Sequence, residues 1–124
     1  MVATVGASAQ TAHERAARAT VPEMATYLQD LFGQKLTALM VGSKDPKAVG
    51  KWARGERDPH PGIVQRLRDV YQVAAFLLQG ESRQTVQGWF MGMNPQLGDR
   101  APALVIAENP TEVMQAARAF LAGG

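Results

Sequence analysis

Helix-start signals recur along this chain, and they constrain its fold more than any other feature of the sequence. Each combines a capping side chain with a proline in the first turn, as in Thr20-Val-Pro-Glu23, Asp45-Pro46 and Asn109-Pro110. The capping side chain accepts hydrogen bonds from backbone N–H groups that the helix leaves unpaired, and proline suits this turn because it has no N–H to lose. Apolar residues then follow at three- and four-residue spacing. Since no run alternates as a β-strand does, the sequence predicts an all-α fold.

Glycines and prolines mark where the predicted helices end. Gly33 and Gly42 close the first two helices, and Gly55 closes the third, because glycine readily adopts the left-handed conformation of a helix C-terminus. Two prolines make the segment 57–61 a rigid connector between helices. The predicted helices span about residues 20–32, 34–41, 45–55, 61–79, 82–90, 102–106 and 109–121. Residues 1–19 carry few large apolar side chains and are predicted to be a flexible arm, with helix near His13–Arg18, that folding does not require.

Composition narrows the compartment and the chemistry. The 124 residues include no cysteine, which excludes disulfides and thiolate metal sites and fits a reducing compartment. No apolar stretch approaches the roughly 18 residues of a membrane span, and the N-terminus lacks the pattern of a signal peptide. His13 and His60 are far apart and lack the spacing of metal ligands. We therefore expect a cytoplasmic protein without membrane contact, metal or cofactor.

The positive charge is concentrated in the middle of the chain. The formal net charge is only +2, but residues 33–80 hold eight Lys and Arg against four Asp and Glu, a net charge of +4. A solvated helix face is one interpretation of this patch, and a surface that contacts phosphates is the other. Five cations fall within one short stretch: Lys44, Lys47, Lys51, Arg54 and Arg57.

The stretch from Leu36 to Pro59 carries these cations in a pattern typical of a helix-turn-helix. Two short helices flank a turn at Gly42, and the second has Val49 and Trp52 on its apolar face. In that motif the first helix fixes the second, whose side chains enter the major groove of DNA. The five cations are therefore the predicted DNA-binding residues. Trp52 is predicted to lie in the core.

Two resemblances follow from these residues. Val49-Gly-Lys-Trp52-Ala-Arg-Gly55-Glu-Arg-Asp-Pro59 resembles the end of the recognition helix and the following loop of Xre-type regulators. The segment from Gly42 to Trp52 is one residue longer than is usual there. The more specific resemblance is that of WFMGMNPQLGDRAPAL, residues 89–104, and the closing helix to the toxin-binding domain of the MbcA/ParS/Xre antitoxins. The fold implied is a helix-turn-helix domain over residues 20–80 followed by a small helical toxin-binding domain over residues 81–124.

Membership of this family implies that the chain binds and neutralises a RES-domain toxin, an enzyme that consumes NAD, and represses its own operon by binding operator DNA. It also implies a homodimer or a hetero-oligomer with the toxin. Trp89 and Phe90 are adjacent and point about 100° apart on a helix, so one is expected in the core and the other at the surface. The toxin-binding residues implied by the resemblance are Trp89, Phe90, Asn94, Pro95, Leu97, Arg100 and Pro102.

Other functions fit parts of the sequence. The chain shows no nucleophile–base pair and no glycine-rich phosphate loop, so we do not expect an enzyme. One alternative is a stand-alone helix-turn-helix transcription regulator with a dimerising tail. Another is an interaction protein that has lost DNA binding. A neighbouring gene for a RES-domain toxin favours the antitoxin over the regulator, and a salt-dependent DNA shift separates the regulator from the interaction protein.

Overall fold

A computed structural model describes the backbone of residues 5–123 and the side chains of residues 10–123. This part of the chain contains helices and no β-strand, which confirms the predicted all-α fold. Its extended pairing is limited to one isolated bridge between Asn94 and Arg100. A 3₁₀ turn covers Pro95–Leu97. The α-helices are α1 (Val5–Arg18), α2 (Val21–Val41), α3 (Pro46–Ala53), α4 (Pro61–Leu78), α5 (Arg83–Met91), α6 (Pro102–Val105) and α7 (Pro110–Leu121).

The predicted capping residues make the hydrogen bonds expected of them. Thr20 and Glu23 form a reciprocal box at the start of α2: the Thr20 hydroxyl accepts from the Glu23 N–H at 3.3 Å, and the Glu23 carboxylate accepts from the Thr20 N–H at 2.9 Å. These hydrogen bonds lower the pKa of Glu23. Asp45 and Asn109 accept from backbone N–H groups at the starts of α3 and α7, both at 3.1 Å. The helix starts are therefore determined by local sequence.

Gly33 breaks α2 into two arms, residues 21–32 and residues 34–41, as the sequence predicted. Its φ of 83° and ψ of 167° define a backbone conformation that residues other than glycine rarely adopt. Two hydrogen bonds cross the break: the Thr37 hydroxyl donates to the Leu28 carbonyl at 3.1 Å, and the Gln34 amide donates to the Gln29 side chain at 2.9 Å. The break lets the second arm turn toward α3.

Replacing Gly33 by alanine is expected to lower the free energy of unfolding by about 1–3 kcal/mol, because the backbone conformation there disfavours a Cβ. Space is not the reason, since a Cβ at Gly33 would have no neighbouring atom within 4 Å. Gly88 provides the matched control: it also has open space, but it lies inside α5. Gly88→Ala should therefore raise the stability by about 0.5–1 kcal/mol. Urea denaturation measures both changes, and equal effects of the two substitutions would contradict the strained conformation at Gly33.

The N-terminal segment differs from its prediction. A flexible arm was expected over residues 1–19, but Val5–Arg18 forms α1, which packs along α4. Ala12, Ala16 and Ala19 are buried, and the Arg68 guanidinium of α4 donates to the carbonyls of Ala16 at 2.8 Å and Ala19 at 2.7 Å. Alanine has the highest helix propensity, and its small side chain allows a close approach between helices. A count of large apolar residues misses both effects. Residues 1–4 lie outside the described part.

Residues from both predicted domains share one hydrophobic core. The buried cluster runs from Ala12 in α1 to Ala117 in α7 and includes Phe76 of α4 and Phe90 of α5. Two side chains of α5 also hydrogen-bond to the first arm of α2: Arg83 donates to the Asp30 carbonyl at 2.9 Å, and Gln87 donates to the Leu31 carbonyl at 2.7 Å. The boundary predicted between residues 80 and 81 marks where one family resemblance ends and the other begins. The hydrophobic core continues across it. Gly124 lies outside the described residues.

Candidate functional site

The predicted DNA-binding cations are exposed on α3 and on the turns that flank it. Ala48, Val49 and Trp52 of α3 are buried, and the burial of Trp52 confirms its predicted place in the core. Lys47 and Lys51 are exposed one turn apart on the opposite side of the helix. All five predicted cations are exposed, and we call them the basic face: Lys44, Lys47, Lys51, Arg54 and Arg57.

The second arm of α2 and the turn after it position α3. Gly42 has a left-handed φ of 76°, and the Ser43 N–H donates to the Ala38 carbonyl at 2.9 Å, which closes the arm. Asp45 then starts α3, and α2 and α3 share the most extensive contact between helices in the described chain. Two packed helices joined by a short turn therefore occur where the sequence predicted them. Their assignment as a helix-turn-helix remains a prediction.

Arg54 differs from the other cations of the basic face. Its guanidinium contacts the Glu56 carboxylate twice, with Nε to Oε2 at 2.6 Å and Nη2 to Oε1 at 3.4 Å. This contact lowers the pKa of Glu56 and raises that of Arg54. Among the side chains of residues 10–123 it is the one ion pair within 4.0 Å. The other four cations of the basic face thus form no ion pair within that part of the chain.

Phe90 is buried and Trp89 lies at the edge of the core, which answers the question that the sequence left open. Phe90 is 0% exposed, and its ring contacts those of Phe32 and Trp89 edge-to-face at centroid distances of 4.9 and 5.1 Å. The Trp89 ring is partly buried and lies 6.3 Å from that of Phe120. Phe90 therefore has no surface to offer a partner in this conformation, and its expected role as a contact residue is corrected to one of core packing.

The Asn94–Arg100 segment forms a compact turn that separates buried from exposed residues. The Asn94 side chain accepts from the Gln96 N–H at 2.9 Å, and the Asn94 N–H donates to the Arg100 carbonyl at 3.3 Å. Asp99 has a positive φ of 64°. Asn94 and Leu97 are buried, as is Pro102 after the turn. Of the predicted toxin-binding residues, this leaves Pro95 and Arg100 exposed and Trp89 partly exposed.

Several large apolar side chains that the sequence analysis did not select are exposed in the same part of the chain. We call them the C-terminal apolar residues: Met91, Met93, Leu104 and Phe120. Met93 directly precedes the turn and is 82% exposed. Leu104 and Phe120 lie within the predicted helices 102–106 and 109–121 and are 56% and 36% exposed. Met91 is the last residue of α5 and Met93 follows its C-cap Gly92, so the end of the apolar helical pattern at Phe90 is the signal that could have found both.

A groove of about 240 Å³ lies between α4 and α7, and none of the predicted site residues lines it. Asp69 and Arg118 line it together with Gln72 and Gln115. Partial burial raises the pKa of Asp69, although a hydrogen bond from Gln65 at 3.1 Å opposes the shift.

No group of three His, Cys, Asp or Glu side chains in the described chain is arranged to hold a metal ion. Among the helices of residues 5–123, none has the length and apolar character needed to cross a membrane.

Comparison with known proteins adds no relative: no family model, curated protein or solved structure gives a significant match to the chain.

Proposed function

We propose that this protein is an antitoxin of a type II toxin–antitoxin system, which binds and neutralises a RES-domain toxin that consumes NAD. The C-terminal part, from α5 to α7, is the toxin-binding part, and the basic face binds operator DNA. The observation that carries this proposal is the exposure of Arg100 and of large apolar side chains around the turn whose sequence resembles the MbcA/ParS/Xre antitoxins.

The exposed residues have the composition of a protein interface. Aromatic residues, methionine and arginine are enriched in interface cores, where apolar side chains lose water on binding. The C-terminal apolar residues supply two methionines and Phe120, and Trp89 lies beside Phe120. Arg100 adds a cation that can pair with an acidic group of the toxin. Residues 81–124 have three Arg against four Asp and Glu, a net charge of −1, so this part lacks the charge of a DNA surface.

We infer that neutralisation occurs by occlusion. The Asn94–Arg100 turn and α7 would cover the mouth of the NAD pocket of the toxin, so that NAD cannot enter while the complex lasts. The buried residues of the turn, Asn94 and Leu97, hold its shape, and the exposed Pro95 and Arg100 make the contact. A preformed turn favours binding because little conformational entropy is lost on association.

Co-expression with a RES-domain protein encoded beside this gene would test the proposal. We expect the two proteins to purify together and the cells to keep their NAD, whereas the toxin alone depletes NAD and arrests growth. A separate purification with undiminished toxin activity would contradict the proposal. So would the absence of a RES-domain gene beside this one together with a normal DNA-binding activity, which would favour a transcription regulator.

The regulator with a dimerising tail remains the alternative function, because the same C-terminal apolar residues could pack against a second copy of the chain. Sedimentation of the protein with and without toxin separates the two hypotheses. A dimer that dissociates when Met93 and Phe120 are replaced by serine, in a protein that captures no toxin, supports the regulator.

Replacing Lys47, Lys51 and Arg54 together by alanine is expected to weaken binding to any DNA duplex. Each lost phosphate contact should flatten the plot of log affinity against log salt by about 0.9. Arg118→Ala is the control, since Arg118 is also exposed but lies on α7. A fluorescence titration between about 50 and 200 mM salt measures the change. Unchanged affinity of the triple variant at low salt would place the DNA contacts elsewhere on the chain.

A further inference from the structure

We propose that Glu56 competes with DNA phosphates for Arg54 and thereby weakens non-specific DNA binding by the basic face. The inference rests on the proposed DNA binding and concerns how that face is regulated. In the free protein the Glu56 carboxylate occupies the N–H donors of the Arg54 guanidinium. A phosphate that displaces Glu56 would release Arg54 for contact with DNA, and it would leave one acidic group beside the bound backbone.

The geometry of the pair resembles that of a guanidinium on a phosphate. Two nitrogens of Arg54 approach the two oxygens of Glu56 at 2.6 and 3.4 Å. Arginine binds phosphate with the same forked arrangement of N–H groups. A phosphate and the Glu56 carboxylate would therefore occupy the same donors, so that the two cannot be bound there together.

The backbone holds Glu56 beside α3. Gly55 has a left-handed φ of 72°, and the Glu56 N–H then turns back and donates to the Lys51 carbonyl at 2.9 Å. This hydrogen bond closes the end of α3, as is common where a glycine ends a helix. The carboxylate consequently lies beside the basic face and also feels the charge of Lys51, which lowers its pKa further.

Exposure makes the pair weak enough to exchange. The two side chains are 58% and 55% exposed, so water and salt screen their attraction. DNA presents a dense row of phosphates and releases counterions when cations bind. The competitor therefore does not prevent binding, but it removes one phosphate contact from weak encounters. At a specific DNA site, contacts to bases can compensate for the lost phosphate contact. A non-specific duplex offers few contacts besides those to phosphates.

Glu56→Gln tests the inference, because glutamine keeps the size of the side chain and removes its charge. We expect binding to a random-sequence duplex at about 50 mM salt to tighten roughly threefold to tenfold, and the salt slope to steepen by about 0.9 as Arg54 gains a phosphate. Asp58→Asn is the matched control: it changes the net charge equally, and Asp58 is exposed two residues further on. It should tighten binding less than about twofold and leave the slope unchanged.

A double-mutant cycle shows whether the effect passes through Arg54. We expect Arg54→Ala to weaken DNA binding little in the wild-type chain and about threefold to tenfold in the Glu56→Gln chain. Equal losses in both backgrounds would overturn the inference. Equal gains from Glu56→Gln and Asp58→Asn would overturn it too, since they would indicate bulk charge alone. If no variant binds the duplex at low salt, the inference fails, while capture of the toxin would still support the antitoxin function.

Discussion

Phe90→Ala is expected to lower the free energy of unfolding by about 3–5 kcal/mol, the largest loss of stability that we predict for a single substitution. Phe90 is fully buried, and its ring packs edge-to-face against Phe32 of α2 and Trp89 of α5. The substitution would leave a cavity where α5 joins the core. Because domains of this size are stable by about 5–15 kcal/mol, the loss would move the urea midpoint far toward lower concentration.

Trp89→Ala provides the comparison for Phe90→Ala. Trp89 is only partly buried, so its removal should cost less stability than that of Phe90. Trp89→Ala does remove aromatic surface beside Phe120. For the same loss in the free energy of unfolding, it should therefore weaken toxin binding more than Phe90→Ala does. If the two variants lost equal stability, or if folded Phe90→Ala bound toxin more weakly than Trp89→Ala, the division of core and contact roles would be wrong.

Local signals explain which parts of the fold the sequence could predict. The box of Thr20 and Glu23, the cap at Asp45 and the break at Gly33 each depend on residues within a few positions of one another. Their conformations are therefore determined by backbone chemistry that a single sequence displays. The predicted helix starts and the division of α2 agree with the structure for that reason.

Tertiary contacts explain the parts that the sequence could not predict. Nothing in residues 1–19 shows that Arg68, about fifty positions away, donates hydrogen bonds to backbone carbonyls at the end of α1. The roles of Trp89 and Phe90 depended on where α5 meets α2, which helical periodicity does not define. Phe120 lies in the last turn of α7 and is 36% exposed, with its ring 6.3 Å from that of Trp89, a neighbour that helical spacing alone does not reveal.

The candidate site was predicted only in part for a similar reason. Charge clustering predicted the exposed cations of the basic face, since charged side chains in an amphipathic helix turn toward solvent. The contact between Arg54 and Glu56 depends on the turn at Gly55, so clustering of charge predicted Arg54 as a DNA-binding residue but not its pairing with Glu56. In the proposed toxin-binding part, the residues of the Asn94–Arg100 turn were identified through resemblance. The structure then shows which of them are buried and support the turn, and which are exposed.

Arg100→Glu is expected to have the largest effect on toxin binding. Removing one partner of a charge pair in a buried interface costs about 2–5 kcal/mol, which corresponds to roughly a 30-fold to 5,000-fold loss of affinity. The reversed charge would add repulsion from the acidic group that Arg100 meets. Arg100 is exposed and ends the Asn94–Arg100 turn. It contributes to the hydrogen bonds of the turn with its backbone and not with its side chain, so the fold should tolerate the change.

The affinity of the purified toxin for the wild-type chain, Arg100→Glu and Lys51→Glu, measured by calorimetry, tests the antitoxin account most directly. Lys51→Glu makes the same change in net charge on the basic face, so it controls for long-range electrostatics. We expect tight binding by the wild type and by Lys51→Glu, and a loss of at least about 30-fold for Arg100→Glu. Full binding by Arg100→Glu together with lost binding by Lys51→Glu would place the toxin site on the basic face and contradict the account.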